Sequence, residues 1–345
     1  MCCIQVKDSY RLRNIHNKKN LKGKALALFD ASSGWIAAAV IGALTACVAY
    51  LVDIAAATVS DWKLGHCTTN PFYTREACCA SSTSASEPAT SCPNFKTWGN
   101  EYAVSFGVYV AFALAFGLVS AGVTMLTKSA LPSATTPEHE DEKAVAGKTM
   151  YMAAGSGIPE IKTILGGFVI PDFLSLKVLV VKAVGAVFAV STGMCLGKEG
   201  KIIHCSCREW IKLIYLWLGP FVHISTCVGY LVANLFPKYR DNGRKMREML
   251  SAACAAGLSV AFGAPIGGVL FSYEEISTYF PRKVLWRAFL CSAVAAMVLK
   301  ELNPTGTGKL VLFETNYGTS YSAVHYLVFV VLGKAPLLTN STRIC

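Results

Sequence analysis

"AAGSGIPEIKTILGGF", residues 153–168, sets Gly155, Gly157, Gly166, Gly167 and Pro159 inside otherwise apolar, helix-forming text. At membrane depth such breaks survive only where the backbone is buried in protein or lines a cavity. Transport proteins use broken helices this way, aiming the start of a half-helix at an anion. Here the glycines let the backbone approach a ligand closely. Pro159 suits the first turn of a helix, whose free amides and dipole attract negative charge. Ser156 can donate a hydroxyl hydrogen bond without bringing a charge that would hold the ion too tightly. The competing reading of this segment alone is a glycine-rich helix cap with no ligand.

Working outward, the 345 residues are 53% hydrophobic and 15% charged, with a mean hydropathy of +0.44. A soluble domain carries about a quarter charged residues. A bilayer span needs about 20 mostly apolar residues. Windows at 33–56, 102–126, 176–196 and 251–273 meet that length, with weaker ones at 284–299 and 321–332 and a Gly-Pro-broken run at 211–236. The pattern predicts an all-α polytopic membrane protein. Its formal charge of +11 is concentrated before the first window, in Lys7, Arg11, Arg13, Lys18, Lys19, Lys22 and Lys24. Basic residues flanking a span face the cytosol, so residues 1–28 read as a cytosolic segment rather than a nucleic-acid arm.

Of the fourteen cysteines, Cys67, Cys78, Cys79 and Cys92 fall in the polar stretch 57–101, which reads as a luminal loop. Disulfides persist on that side, and one or two bridges are expected, with the pairing left open by the sequence. Neither Cys78-Cys79 nor Cys205-x-Cys207 has the spacing and second ligand pair of a zinc site, so no metal is expected. Residues 127–150, with the mixed-charge patch 138–143, read as a cytosolic linker.

Ionisable groups inside apolar windows are functional suspects unless paired or wetted. Asp53 and Lys182 are read as structural, pairing or snorkelling near an interface. Glu199, in "GKEG" at 197–200, and Glu274 and Glu275, closing "AFGAPIGGVLFSYEEIS" at 261–277, stand near the glycine-rich breaks. Two acids at different depths beside an anion site could pass a proton along.

Taken together, "GSGIPEIKTIL" (155–165), "GKEG" (197–200) and "GAPIGGVLFSYEE" (263–275) resemble the CLC family of voltage-gated chloride channels and chloride/proton exchangers. Flanking text agrees at "FDASSGW" (29–35), "LVDIAA" (51–56) and "LFPKYRDNGRKMREMLSAACAAG" (235–257). The similarity covers most of 25–325 and looks most like the eukaryotic vesicular branch of endosomal, Golgi or vacuolar membranes. It implies a non-enzyme that moves chloride and protons, without a cofactor, and is a homodimer in its full-length members. The implied fold is the first of two inverted repeats, with broken, tilted helices, plus the start of the second. By resemblance, Ser156 coordinates the central chloride, with Gly155, Gly157, Ile158 and Gly200 as backbone around it. Pro159, Pro220 and Phe221 would start the helices aimed at the anion. Glu199 would be the gating glutamate, and Glu275 the inner proton acceptor that marks exchangers rather than channels.

Two departures qualify that implication. In the family, Gly-Lys-Glu-Gly runs straight into proline, whereas here "GPFVHIS" appears only at 219–225. Removing the nineteen residues 201–219 joins "GKEG" to "PFVHIS", so they read as an in-frame insertion from a retained intron. A real lineage-specific loop is the alternative. The partial transmembrane domain then covers 29–332, and the tail 333–345 departs from family-like text. On that reading half the pore is missing, and the chain is expected not to transport alone. The rivals are a non-transporting isoform that modulates a full-length partner, a channel rather than an exchanger, and, on cysteines alone, a redox enzyme.

Overall fold

The computed structural model describes residues 21–80, 94–99, 101–130, 149–193 and 220–302. Helix α1 spans Leu21–Asp61, unbroken because the first proline comes only at Pro71. Beyond it lies a small cap made of strand β1 (Gly65–Cys67), helix α2 (Arg75–Ala80) and strand β2 (Phe95–Thr97). The two strands pair antiparallel, with Gly65 opposite Thr97. Helix α3 (Tyr102–Met125) returns through the membrane and ends at a second short hairpin, β3 (Lys128–Ala130) with β4 (Thr149–Tyr151). After these come α4 (Ile158–Gly166), α5 (Leu176–Ser191), α6 (Pro220–Leu235), the short α7 (Pro237–Arg240) and α8 (Gly243–Phe262). The described chain closes with α9 (Pro265–Phe271), a π-helical turn at Ser272–Ile276 and α10 (Arg282–Leu302).

Several expected windows are re-cut by local chemistry. The apolar run 251–273 is two helices, because Gly263 closes α8 in the left-handed region at φ 63° and Pro265 opens α9. The run 211–236 is helical from Pro220, whose missing amide suits a first turn. Window 176–196 is helical to Ser191, and α1 runs on to Asp61, past the expected loop start at 57. The expected segments 201–219, 321–332 and 333–345 lie outside the described residues.

Helix α8 is the hub, with every residue from Met249 to Ala261 buried. Lipid gives little drive to helix association, so small residues and interhelical hydrogen bonds must supply it. At Gly257 a Cβ would lie 2.2 Å from Ser225 Oγ and 2.7 Å from the Phe221 carbonyl of α6. At Gly42 of α1 a Cβ would lie 2.3 Å from the Cys291 carbonyl of α10. Ser259 Oγ donates to the Ser292 carbonyl at 3.0 Å, and Ser272 Oγ to that of Ser251 at 2.7 Å. Asn242 caps α8 by accepting from the amides of Arg244 and Lys245 at 3.1 and 3.2 Å.

The cap carries a disulfide between Cys67 and Cys78, and Cys79 is disulfide-bonded as well. Trp98 Nε1 donates to the Trp62 carbonyl at 2.7 Å, Trp62 Nε1 to that of Pro71 at 2.8 Å, and the His66 ring lies 4.9 Å from that of Trp98. A bridge of this kind contributes about 2–4 kcal/mol. Changing Cys78 to serine is therefore expected to speed proteolysis within 62–80 at least about tenfold, at unchanged helical circular dichroism. Equal cleavage rates would show that the tryptophans alone hold the cap.

Candidate functional site

The glycine-rich break folds as a cradle. Gly155 and Gly157 sit at φ 71° and 76°, left-handed conformations that L side chains adopt only at a cost. Gly157 caps α4, and Pro159 stands in its first turn. Ser156 Oγ accepts the Ile158 amide at 3.3 Å, which leaves the hydroxyl proton available to an anion. Ser156 is half-buried, so the cradle is open on one side.

The start of α6 meets the same place. Gly157 lies so close to His223, in the first turn of α6, that a Cβ would stand 2.8 Å from the ring's Nδ1. The imidazole is fully buried, stacks on Phe173 at 4.2 Å between centroids and shares a 3.1 Å hydrogen bond with the Phe173 carbonyl through Nε2. Pro220 and Phe221, buried at the α6 start, therefore stand beside the α4 start. Two helix N-termini, each with first-turn amides unpaired within the helix, converge on one spot.

Lys182 of α5 is 5% exposed, and its ammonium donates to the carbonyls of Ala153, at 2.9 Å, and Gly155. A small cavity lined by Ala153, Lys182 and Pro220 joins α5 to the α6 start. The sequence reading of Lys182 as snorkelling or paired near an interface is corrected: the ammonium is buried and braces the cradle. A peptide unit is planar and trans, so a Gly155 carbonyl turned to Lys182 points the Ser156 amide the other way. The lysine thereby removes two carbonyl dipoles that would repel an anion. Glu160, not singled out in the sequence, has Oε2 buried with no hydrogen-bond partner among the described residues.

Glu275 lies elsewhere, in the π-helical turn, with Oε1 3.7 Å from Lys162 Nζ and the two side chains 59% and 50% exposed. Lys162 stands four residues, about 6 Å of helical rise, beyond the Ile158 start of α4, so one helix links the cradle to this acid. A pair this exposed contributes at most about 1 kcal/mol. Glu274 is exposed beside it. Glu199 and Gly200 lie outside the described residues, and among the described residues no group of acids, histidines and cysteines is placed to hold a metal.

Broken helices converging by their N-termini inside an apolar helical assembly define a class: polytopic membrane proteins built on interrupted helices. Comparison with known proteins makes the class specific. The family described as "Voltage gated chloride channel" matches residues 144–208 and 218–335, more than half of the sequence. The chain belongs to the voltage-gated chloride channel family. It is 39% identical over 340 residues to H(+)/Cl(-) exchange transporter 3 of Pongo abelii and of Homo sapiens, and 39% to H(+)/Cl(-) exchange transporter 5 of Homo sapiens. Each alignment takes in 95% of this chain and 37% of the relative, so the chain spans little more than a third of those proteins. A crystal structure of a eukaryotic CLC transporter shares the fold, with a TM-score of 0.52 at 21% identity, over 89% of this chain and 42% of that one.

Proposed function

We propose that the chain builds part of the anion pathway of a chloride/proton exchanger in an intracellular membrane. What carries the reading is the meeting of the α4 and α6 starts at Gly157 and His223, with Lys182 turning carbonyls out of the cradle. Ser156 and the surrounding backbone of Gly155, Gly157 and Ile158 hold chloride, and Glu275 takes up protons from the water it faces. Glu199 is the gating carboxylate and Gly200 its flanking turn. The proton/chloride exchange for which these relatives are named supports an exchanger over a channel. In solution the cradle is testable by the line broadening of chloride in 35Cl NMR. The purified chain should broaden the signal, and Ser156→Ala should weaken the effect; no broadening by the unaltered chain would overturn the reading.

The segment 201–219 bears on activity. A helix dipole acts within its first turn, and nineteen residues separate Gly200 from Pro220. The family match leaves out 209–217, which supports reading an insertion there. The 345-residue chain alone is thus expected to move no chloride across proteoliposome membranes, and deleting 201–219 should strengthen chloride broadening at least about fivefold, as restored dipole coupling would. Unchanged broadening after the deletion would favour a lineage-specific loop. A dose-dependent change in the chloride current of a coexpressed full-length relative would instead favour a modulatory isoform.

A further inference from the structure

We infer that the cavity beneath the disulfide-stapled cap is a phospholipid site, taking an anionic phosphate headgroup from the leaflet on that face, with Lys63 and Arg75 as its cationic ligands. The cavity measures about 470 Å³ and lies between the cap and the first turns of α3. Its walls include Lys63, Arg75, Thr97, Ser105, Tyr102 and Tyr109, with no carboxylate among the described residues that line it. Lys63 is 5% exposed, its ammonium 4.8 Å from the centre of the Tyr109 ring, and the Arg75 guanidinium lies 5.5 Å from that of Phe95. Asp61, two residues before Lys63, accepts the Arg75 backbone amide at 2.7 Å and does not line the cavity. A buried and an exposed cation on the wall of one cavity, with hydroxyl-bearing side chains lining it as well, match a group with several charged acceptor oxygens.

Size and depth choose the occupant. The volume is far larger than a halide needs and falls in the range of sites for small organic molecules. Helix α3, long and apolar enough to cross a membrane, begins at Tyr102, so the cavity sits at the level where that helix enters the bilayer. Trp98, Tyr102 and Phe106 are 41%, 83% and 56% exposed around it, the aromatic belt of a membrane–water boundary. Leu64 and Phe106 on the wall, both exposed, give acyl chains an apolar exit into lipid. The inference rests on the membrane placement and not on exchange, so a protein that moves no chloride leaves it standing.

The test is native mass spectrometry of the detergent-purified chain with dioleoyl phosphatidic acid as probe, dioleoyl phosphatidylcholine as the zwitterionic comparison and glycerol 3-phosphate as the soluble one. Phosphatidic acid should be retained at about tenfold lower concentration than phosphatidylcholine, and Arg75→Gln or Lys63→Met should each erase about that factor. Arg75 is exposed, so Arg75→Gln is expected to keep the Cys67–Cys78 bond, and it decides the matter if Lys63→Met does not fold. Equal retention of phosphatidic acid by Arg75→Gln with its disulfide intact would overturn the site. Displacement of the lipid by equimolar glycerol 3-phosphate would overturn lipid as the occupant.

Discussion

Replacing Gly157 with alanine is expected to abolish chloride binding and cost the fold about 2–5 kcal/mol, from left-handed strain plus overpacking. The new methyl would meet three atoms of His223, its Nδ1, Cβ and Cγ, at 2.8–2.9 Å. The imidazole has nowhere to go, since it is fully buried, stacked on Phe173 and hydrogen-bonded to that residue's carbonyl. The α4 and α6 starts must then separate, and converging helix ends are what the cradle is made of. Thermal unfolding and chloride line broadening read the two effects separately. Gly166→Ala is the control, because a Cβ there meets nothing within 4 Å. Normal chloride binding by Gly157→Ala would mean that the contact with His223 does not shape the site.

Lys182→Met should separate function from stability. Each charge-assisted hydrogen bond lost is worth about 1.5–3 kcal/mol. Against that, the variant no longer buries an ammonium, a desolvation cost of several kcal/mol. The two nearly offset, so the unfolding midpoint should move little. Chloride affinity should fall at least about tenfold, because the carbonyls of Ala153 and Gly155 lose the cation that turns them away. A chloride affinity within twofold of the original would sink the bracing role and return Lys182 to a packing residue.

Much of this fold was legible because glycine and proline punctuate it. Gly155, Gly157 and Pro159 mark the α4 start, and Gly263 with Pro265 marks the joint between α8 and α9. Apolar periodicity is silent about such joints inside a continuous run, so 251–273 read as one span. The reading of Ser156 drew on chemistry and resemblance together, while the gating role of Glu199 rests on resemblance alone. The support given by Lys182 and His223 was hidden for another reason. A buried cation satisfied by backbone carbonyls 27 and 29 residues away leaves no local pattern, and neither does a ring wedged under a glycine. Contacts of that kind are decided by tertiary packing.

Helix α1 has 41 residues and rises about 60 Å, twice the roughly 30 Å hydrocarbon thickness of a bilayer. Its candidate span, Ala27–Asp61, has 35 residues against the roughly 20 that a bilayer needs. A rod with so much spare greasy length meets a thicker or thinner membrane by leaning more or less, at fractions of a kcal/mol per Å. Along this helix it is the membrane, through its thickness, that chooses which side chains mark the water line. Organelles with different bilayers could then host one and the same chain at only a small sorting cost from its longest helix.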